Sequence, residues 1–223
     1  MNEYRLVRMK RRSVSLSLDK DGVPLIKAPY NASSEMIDKF YHEKYDWVKA
    51  QQKLFYERQS KRSAALGSDV DSLTLFGREY PVTHEPRPYG FDWKSFNLPN
   101  GSFGELKPYI IGMYKNIAAA DIKRRVREFA PKVGVSPSAV KINSASTRWG
   151  SCSGKASLNF SWKLILAPDD VIDYVVVHEL CHILYMDHSP LFWAEVARVI
   201  PDWKQKRGKL RDVQKVIGDN AWD

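Results

Sequence analysis

The stretch that most constrains this chain is residues 171–188, VIDYVVVHELCHILYMDH, where a nearly unbroken apolar run leads into three of the protein's five histidines. Pro168, Asp169 and Asp170 ahead of it stop a strand and open a helix, with the aspartates in the first turn, where the helix dipole favours them. A helix that is apolar on every side has to be buried. This one is expected to cross the core and deliver its polar residues to a cleft wall. Residues four apart lie one turn apart on the same helical face, so His178 and His182 can hold one ion between two imidazoles. Glu179 is turned about 100 degrees from His178 and borders such an ion rather than ligating it. From there it can take a proton from a water on the metal and deliver it to a leaving group. His178-Glu179-x-x-His182 is the HExxH signature of zinc hydrolases.

His188, six residues further on and beyond a break in the helix, offers a third ligand at the spacing of HExxHxxGxxH enzymes. Tyr185 stands where that pattern has Gly, so its particular turn is not reproduced. Three neutral imidazoles leave a fourth tetrahedral position open, the arrangement of a catalytic zinc rather than a structural one. The competing reading is a buried helix whose histidines hydrogen-bond inside the core. Cys181 reads as a small core residue, and Glu195 as a rival third ligand or the polar side of an amphipathic helix. Asp187 reads either as a partner for an imidazole N–H or as a turn cap.

A chain of 223 residues, 43% hydrophobic and 27% charged, can bury one large core or two small ones. It has no run of about 20 apolar residues that could span a bilayer, and no membrane association is expected. The opening MNEYRLVRMKRRS has no apolar run behind its positive charge, so no signal peptide is expected. Cys152 and Cys181 make no disulfide framework, and a cytoplasmic location fits. The formal net charge of +9 attracts phosphate. It gathers in RMKRR at 8–12, KRRVR at 123–127 and KQKRGKLR at 204–211. These segments suit nucleic acid or a nucleotide, or simply form a solvated basic face; no nucleic-acid-binding module accompanies them.

Along the chain, SVSLSL, DKDG and VPLIKAP read as a hairpin, followed by a long helix from Ser34 to Ser60. Short apolar runs broken by Gly and Pro over 67–101 suggest a small β unit, with NLPNGS at 97–102 as a boundary. A helix over 104–133 ends at Gly134. Strands follow around 139–150 and 156–166, joined by SCSGK, and then the histidine-bearing helix. Ser189 and Pro190 suit the N-cap and first position of the next helix, and a basic helix covers 202–213. The expectation is an α+β chain with a β-rich N-terminal region, 1–100, containing one long helix, and a metal-binding domain, 101–223.

TRWGSCS at 147–153, LNFSWKLILAP at 158–168, DYVVVHELCH at 173–182 and DHSPLFW at 187–193 occur in the order found in YgjP-like metallopeptidases. YRLVRMKRRSVSLSLDKDG at the start and LTLFGREYPV at 73–82 also resemble that family, so the resemblance covers nearly the whole chain. It implies a zincin-like core with an active-site helix beside a small mixed sheet. It also implies one zinc ion on His178, His182 and His188, with Glu179 as catalytic acid and base. Asp187 departs from the Asn of many members and leaves the ligand beside it in place. In zincin-like folds the strand before the active helix borders the cleft and can pair with an extended substrate. Arg148 and Trp149 would then contact substrate, Arg148 polarising a carbonyl or holding a phosphate; otherwise the tryptophan packs in the core beside an arginine salt bridge.

The resemblance points to a zinc-dependent hydrolase that cleaves a peptide bond in a peptide or protein substrate. Two alternatives keep the metal: UTP pyrophosphatase activity, attached to some family members, and a nucleic-acid-associated protease of SprT-like type. Imidazole-only ligation weighs against the first, since nucleotide hydrolases usually hold magnesium with carboxylates. A binding module without catalysis would not need Glu179.

Overall fold

Alternation of polar and apolar residues in the first 30 positions produces β1 (Arg5–Arg8), β2 (Ser15–Leu18) and β3 (Pro24–Ala28). The computed structural model describes residues 4–86, 88–219 and 222. β2 and β3 form the expected hairpin, antiparallel with Ser15 opposite Lys27, and β1 pairs parallel to β3 on its other edge. The DKDG turn is closed by the Asp19 carboxylate, which accepts from the backbone N–H groups of Asp21 and Val23. α1 (Ser34–Glu43) is capped by the Ser33 hydroxyl, which accepts from Met36 N, and α2 (Tyr45–Gly67) follows. The single helix expected over 34–60 is thus broken at Lys44, whose N–H turns back to the carbonyls of Tyr41 and His42. The break lets Ile37, Tyr41 and Val48 all reach a small core with Ile26, Ala28 and Ala32. After Val48, α2 has no buried residue among those described.

β4 (Ser72–Leu75), β5 (Arg78–Thr83), β6 (Gly90–Phe91) and β7 (Phe96–Asn97) make a second sheet in the order β4-β5-β7-β6. α3 (Phe103–Val133) begins with a capping box between Ser102 and Glu105 and ends at Gly134, whose φ of 78° is left-handed. β8 (Ala139–Asn143), β9 (Gly150–Cys152) and β10 (Ser157–Ser161) form a third sheet, with β10 central, parallel to β8 and antiparallel to β9. A 3-10 turn (Trp162–Leu166), α4 (Asp169–Cys181), α5 (Pro190–Val199) and α6 (Trp203–Asp219) complete the chain. The fold is a mixed α+β one with six helices among the described residues. None of these helices is long and apolar enough to cross a membrane.

The strand expectation changes as well. The strands expected over 139–150 and 156–166 stop at Asn143 and Ser161, the last paired residues of β8 and β10. WKLIL beyond them is buried at all five positions and winds into the 3-10 turn, because no strand remains to pair with it. The chain divides into two compact units, Met1–Ala64 and Ala65–Asp223. The small sheet belongs to the second unit because Leu73, Leu75, Phe96 and Leu98 are buried in one core with α3 and α4.

α4 is buried at Val171, Ile172, Tyr174, Val175, Val176, Val177, Leu180 and Cys181, as its all-round apolar sequence requires. Its first turn is fixed by Arg125 of α3, only 4% exposed. The guanidinium donates to Asp121 on its own helix and to Asp169 and Asp173 on α4. Burial opposes its charge, but the bonds to the three aspartates more than offset that and raise its pKa.

Candidate metal centre

α4 stops where its side chains turn polar. His182 is its C-cap, and Leu184 N and Tyr185 N both donate back to Cys181 O, which tightens the exit. The chain then reverses, so that His188 returns beside His178 at the head of α5. The Asp187 carboxylate accepts from Ser189 N at 3.2 Å, and the Ser189 hydroxyl accepts from Phe192 N at 3.4 Å. Asp187 is therefore a turn cap, the second of the two readings its sequence allowed.

The three imidazoles converge. His178 Nε2 lies 3.2 Å from His182 Nε2 and 3.1 Å from His188 Nε2, and the ligand atoms of all three fall within 4.8 Å of one another. Donors bound 2.0–2.1 Å from a tetrahedral ion sit roughly 3.3 Å apart, so the spacing fits one metal. Protonation fits as well. His182 Nδ1 lies 3.0 Å from Tyr185 O; a carbonyl only accepts, so Nδ1 carries the proton and Nε2 presents its lone pair to the cluster. Burial, the two neighbouring imidazoles and Arg207 push His178 down to about 3, and burial lowers His182. Neutral imidazole is the form that binds metal. His178 Nδ1 is the buried side-chain nitrogen left without a hydrogen-bond partner among the described residues.

Glu179, 5% exposed, points off the histidine face toward β9. Burial pushes its carboxyl up to about 8. It has room because residue 150 is glycine: a Cβ there would lie 2.6–2.8 Å from three atoms of the Glu179 side chain. Cys152, two residues along β9, has its thiol raised by burial and by Glu179.

Phe192 covers the triad, its ring centroid 4.5–4.9 Å from each imidazole, and Trp193 stacks on His188 at 5.4 Å. Glu195 is not brought to the imidazoles; it pairs with Arg198 at 2.5 Å on the same helix. Cys181 is a fully buried core residue whose thiol burial raises to about 12. Arg148 is exposed in the loop before β9. Trp149 is half-buried against the main core, and its carbonyl accepts from Ser161 N at 2.8 Å.

The basic segments are less free than they look in sequence. Arg125 is buried among its aspartates, and Arg124 pairs with Asp121 at 2.7 Å. Lys206 bonds to Asp202 and Asp170, and Lys209 to Asp170. Arg207 is different: its guanidinium lies 5.4 Å from the Trp193 ring centroid, without a carboxylate partner among the described residues. In sequence it sits among the basic residues of 204–211. The signal that would have separated it is Trp203-x-x-x-Arg207, a one-turn spacing that places an aromatic and a cation on one face of α6.

A buried helix ending in three converging imidazoles and a raised carboxyl, beside a short edge strand, defines a metal-dependent hydrolase. Comparison with known families narrows this. The YgjP-like, metallopeptidase domain matches residues 12–213, and the chain belongs to that family. No curated protein matches it. A solved structure, the metallopeptidase zymogen of Pyrococcus abyssi abylysin, is similar at 20% identity with a TM-score of 0.38, over 40% of this chain and 90% of that one.

Proposed function

We propose that the protein is a zinc metallopeptidase with a zincin-like core, holding one zinc through Nε2 of His178, His182 and His188. The observation that carries this is the convergence of three neutral imidazoles at metal-ligand spacing beside the buried carboxyl of Glu179. Zinc in such a site supplies Lewis acidity toward a carbonyl and lowers the pKa of water to about 7. Glu179 is the general base and then the general acid: it accepts a proton from the attacking water and delivers it to the leaving amine. A carboxyl raised toward neutrality suits both roles, since proton transfer is most efficient when the pKa lies near the working pH.

The substrate is a peptide or protein segment held in extended form. β9 is an edge strand of its sheet, so its outer backbone groups are available to pair with such a segment. Gly150 on β9 abuts Glu179, which would carry the paired peptide past the proton donor and acceptor. Arg148 and Trp149, just before β9, contact the same substrate. Both cysteines are free, in keeping with action in the cytoplasm.

Glu179→Gln should lower turnover of a peptide-library substrate by about 10²–10⁴-fold while zinc content stays at the wild-type level. Near-wild-type turnover would remove Glu179 from the mechanism, and loss of zinc would make it a ligand instead.

A further inference from the structure

Arg207 is the cation nearest in character to a substrate anchor. Its partner ring, Trp193, stacks on His188 at 5.4 Å, lies 5.8 Å from His178 and stacks on Trp203 at 4.2 Å. A guanidinium over an aromatic face is held flat, with its N–H edge still free to donate. Of the other cations of α6, Lys206 is committed to Asp170 and Asp202 and Lys209 to Asp170. Lys204 lies over Trp203, one ring further along the stack from His188.

We infer that Arg207 anchors a carboxylate of the substrate beside the scissile bond, so that the enzyme prefers peptides with an acidic group close to the cleavage point. The inference rests on the triad being the metal site. Arg207 lies over Trp193, whose ring is 5.4 Å from His188 and 5.8 Å from His178, so the guanidinium stands at the rim of the triad. An exposed guanidinium held there is neutralised when an anion arrives with the substrate. Its single charge matches one carboxylate; a triphosphate would call on several cations, and Lys206 and Lys209 are already paired. The bland alternative, an arginine merely covering a tryptophan, gives no preference for acidic peptides.

The test uses short peptide hydroxamates with one glutamate placed one, two or three residues from the hydroxamate, each with its glutamine twin. Binding to zinc-loaded protein is measured by calorimetry, with zinc content determined for every sample. In at least one position the glutamate probe should bind wild type roughly fivefold to tenfold more tightly than its twin. Arg207→Ala should erase that preference and leave the glutamine probe unaffected, while Arg207→Lys should keep part of it. Equal binding of both twins to wild type at every position would overturn the inference, as would a preference undiminished in Arg207→Ala. A preference seen with inorganic phosphate or a nucleoside triphosphate, and with no glutamate probe, would overturn the assignment of a carboxylate. Wild-type protein without zinc would instead overturn the reading of the triad beneath it, so the two failures are distinct.

Discussion

The two ends of α4 handle buried charge in opposite ways. At its start, Arg125 is enclosed by Asp121, Asp169 and Asp173 and every strong donor has an acceptor. At its end, Glu179 is buried with its pKa raised to about 8, and His178 Nδ1 has no hydrogen-bond partner among the described residues. The first arrangement fixes the helix against α3. The second holds polar groups in a state that costs stability unless a cation and substrate complete it. One helix thus separates holding from acting, about two turns apart.

The largest expected effect on stability breaks the paired end. Arg125→Ala leaves three aspartates facing one another and should cost roughly 3–5 kcal/mol. For a chain of this size that lowers the melting midpoint on the order of 10 °C. A loss no greater than that of a surface arginine would contradict the assignment of this cluster to stability.

The acting end should show the reverse sign in metal-stripped protein. The Glu179 carboxyl is raised from 4.5 to about 8 on folding, so the stability linked to it is fully present below pH 4.5 and lost as pH rises through 8. Glu179→Gln removes that linkage. The melting midpoint of stripped wild type should fall relative to the variant between pH 5 and 9, by several degrees. Parallel pH profiles for the two proteins would mean that the carboxyl is not buried as described.

The smallest effect sharpens the contrast within one helical turn of α3. Arg124, with its side chain 54% exposed, pairs with Asp121 and Glu128 at the surface. Arg124→Ala should change stability by less than about 1 kcal/mol, measured by the same denaturation as its neighbour.

What was legible in sequence was local. The four-residue step from His178 to His182, the cap at Ser189 with Pro190, and the glycine stop at Gly134 follow from helix geometry that few residues specify. What was not legible depended on partners far along the chain. Lys44 breaks a helical pattern because Tyr41 and Val48 both need the same small core. WKLIL reads as a strand, but its sheet ends at Ser161. Arg125 and Arg207 look like members of basic patches; one is claimed by aspartates 44 and 48 residues away, and the other by a tryptophan on the preceding helix. Gly150 is unremarkable in a turn-rich segment until Glu179, from another element, fills the space a side chain would take.

The proposed function stands on one catalytic zinc held by His178, His182 and His188. Elemental analysis of protein purified without chelators, alongside a His188→Ala variant, tests it most directly. One zinc per chain is expected in the wild type and a marked loss in the variant, with the fold retained because His188 lies at the exposed rim of the cluster. Wild-type protein without a transition metal, or a variant that keeps its full zinc content, would contradict it.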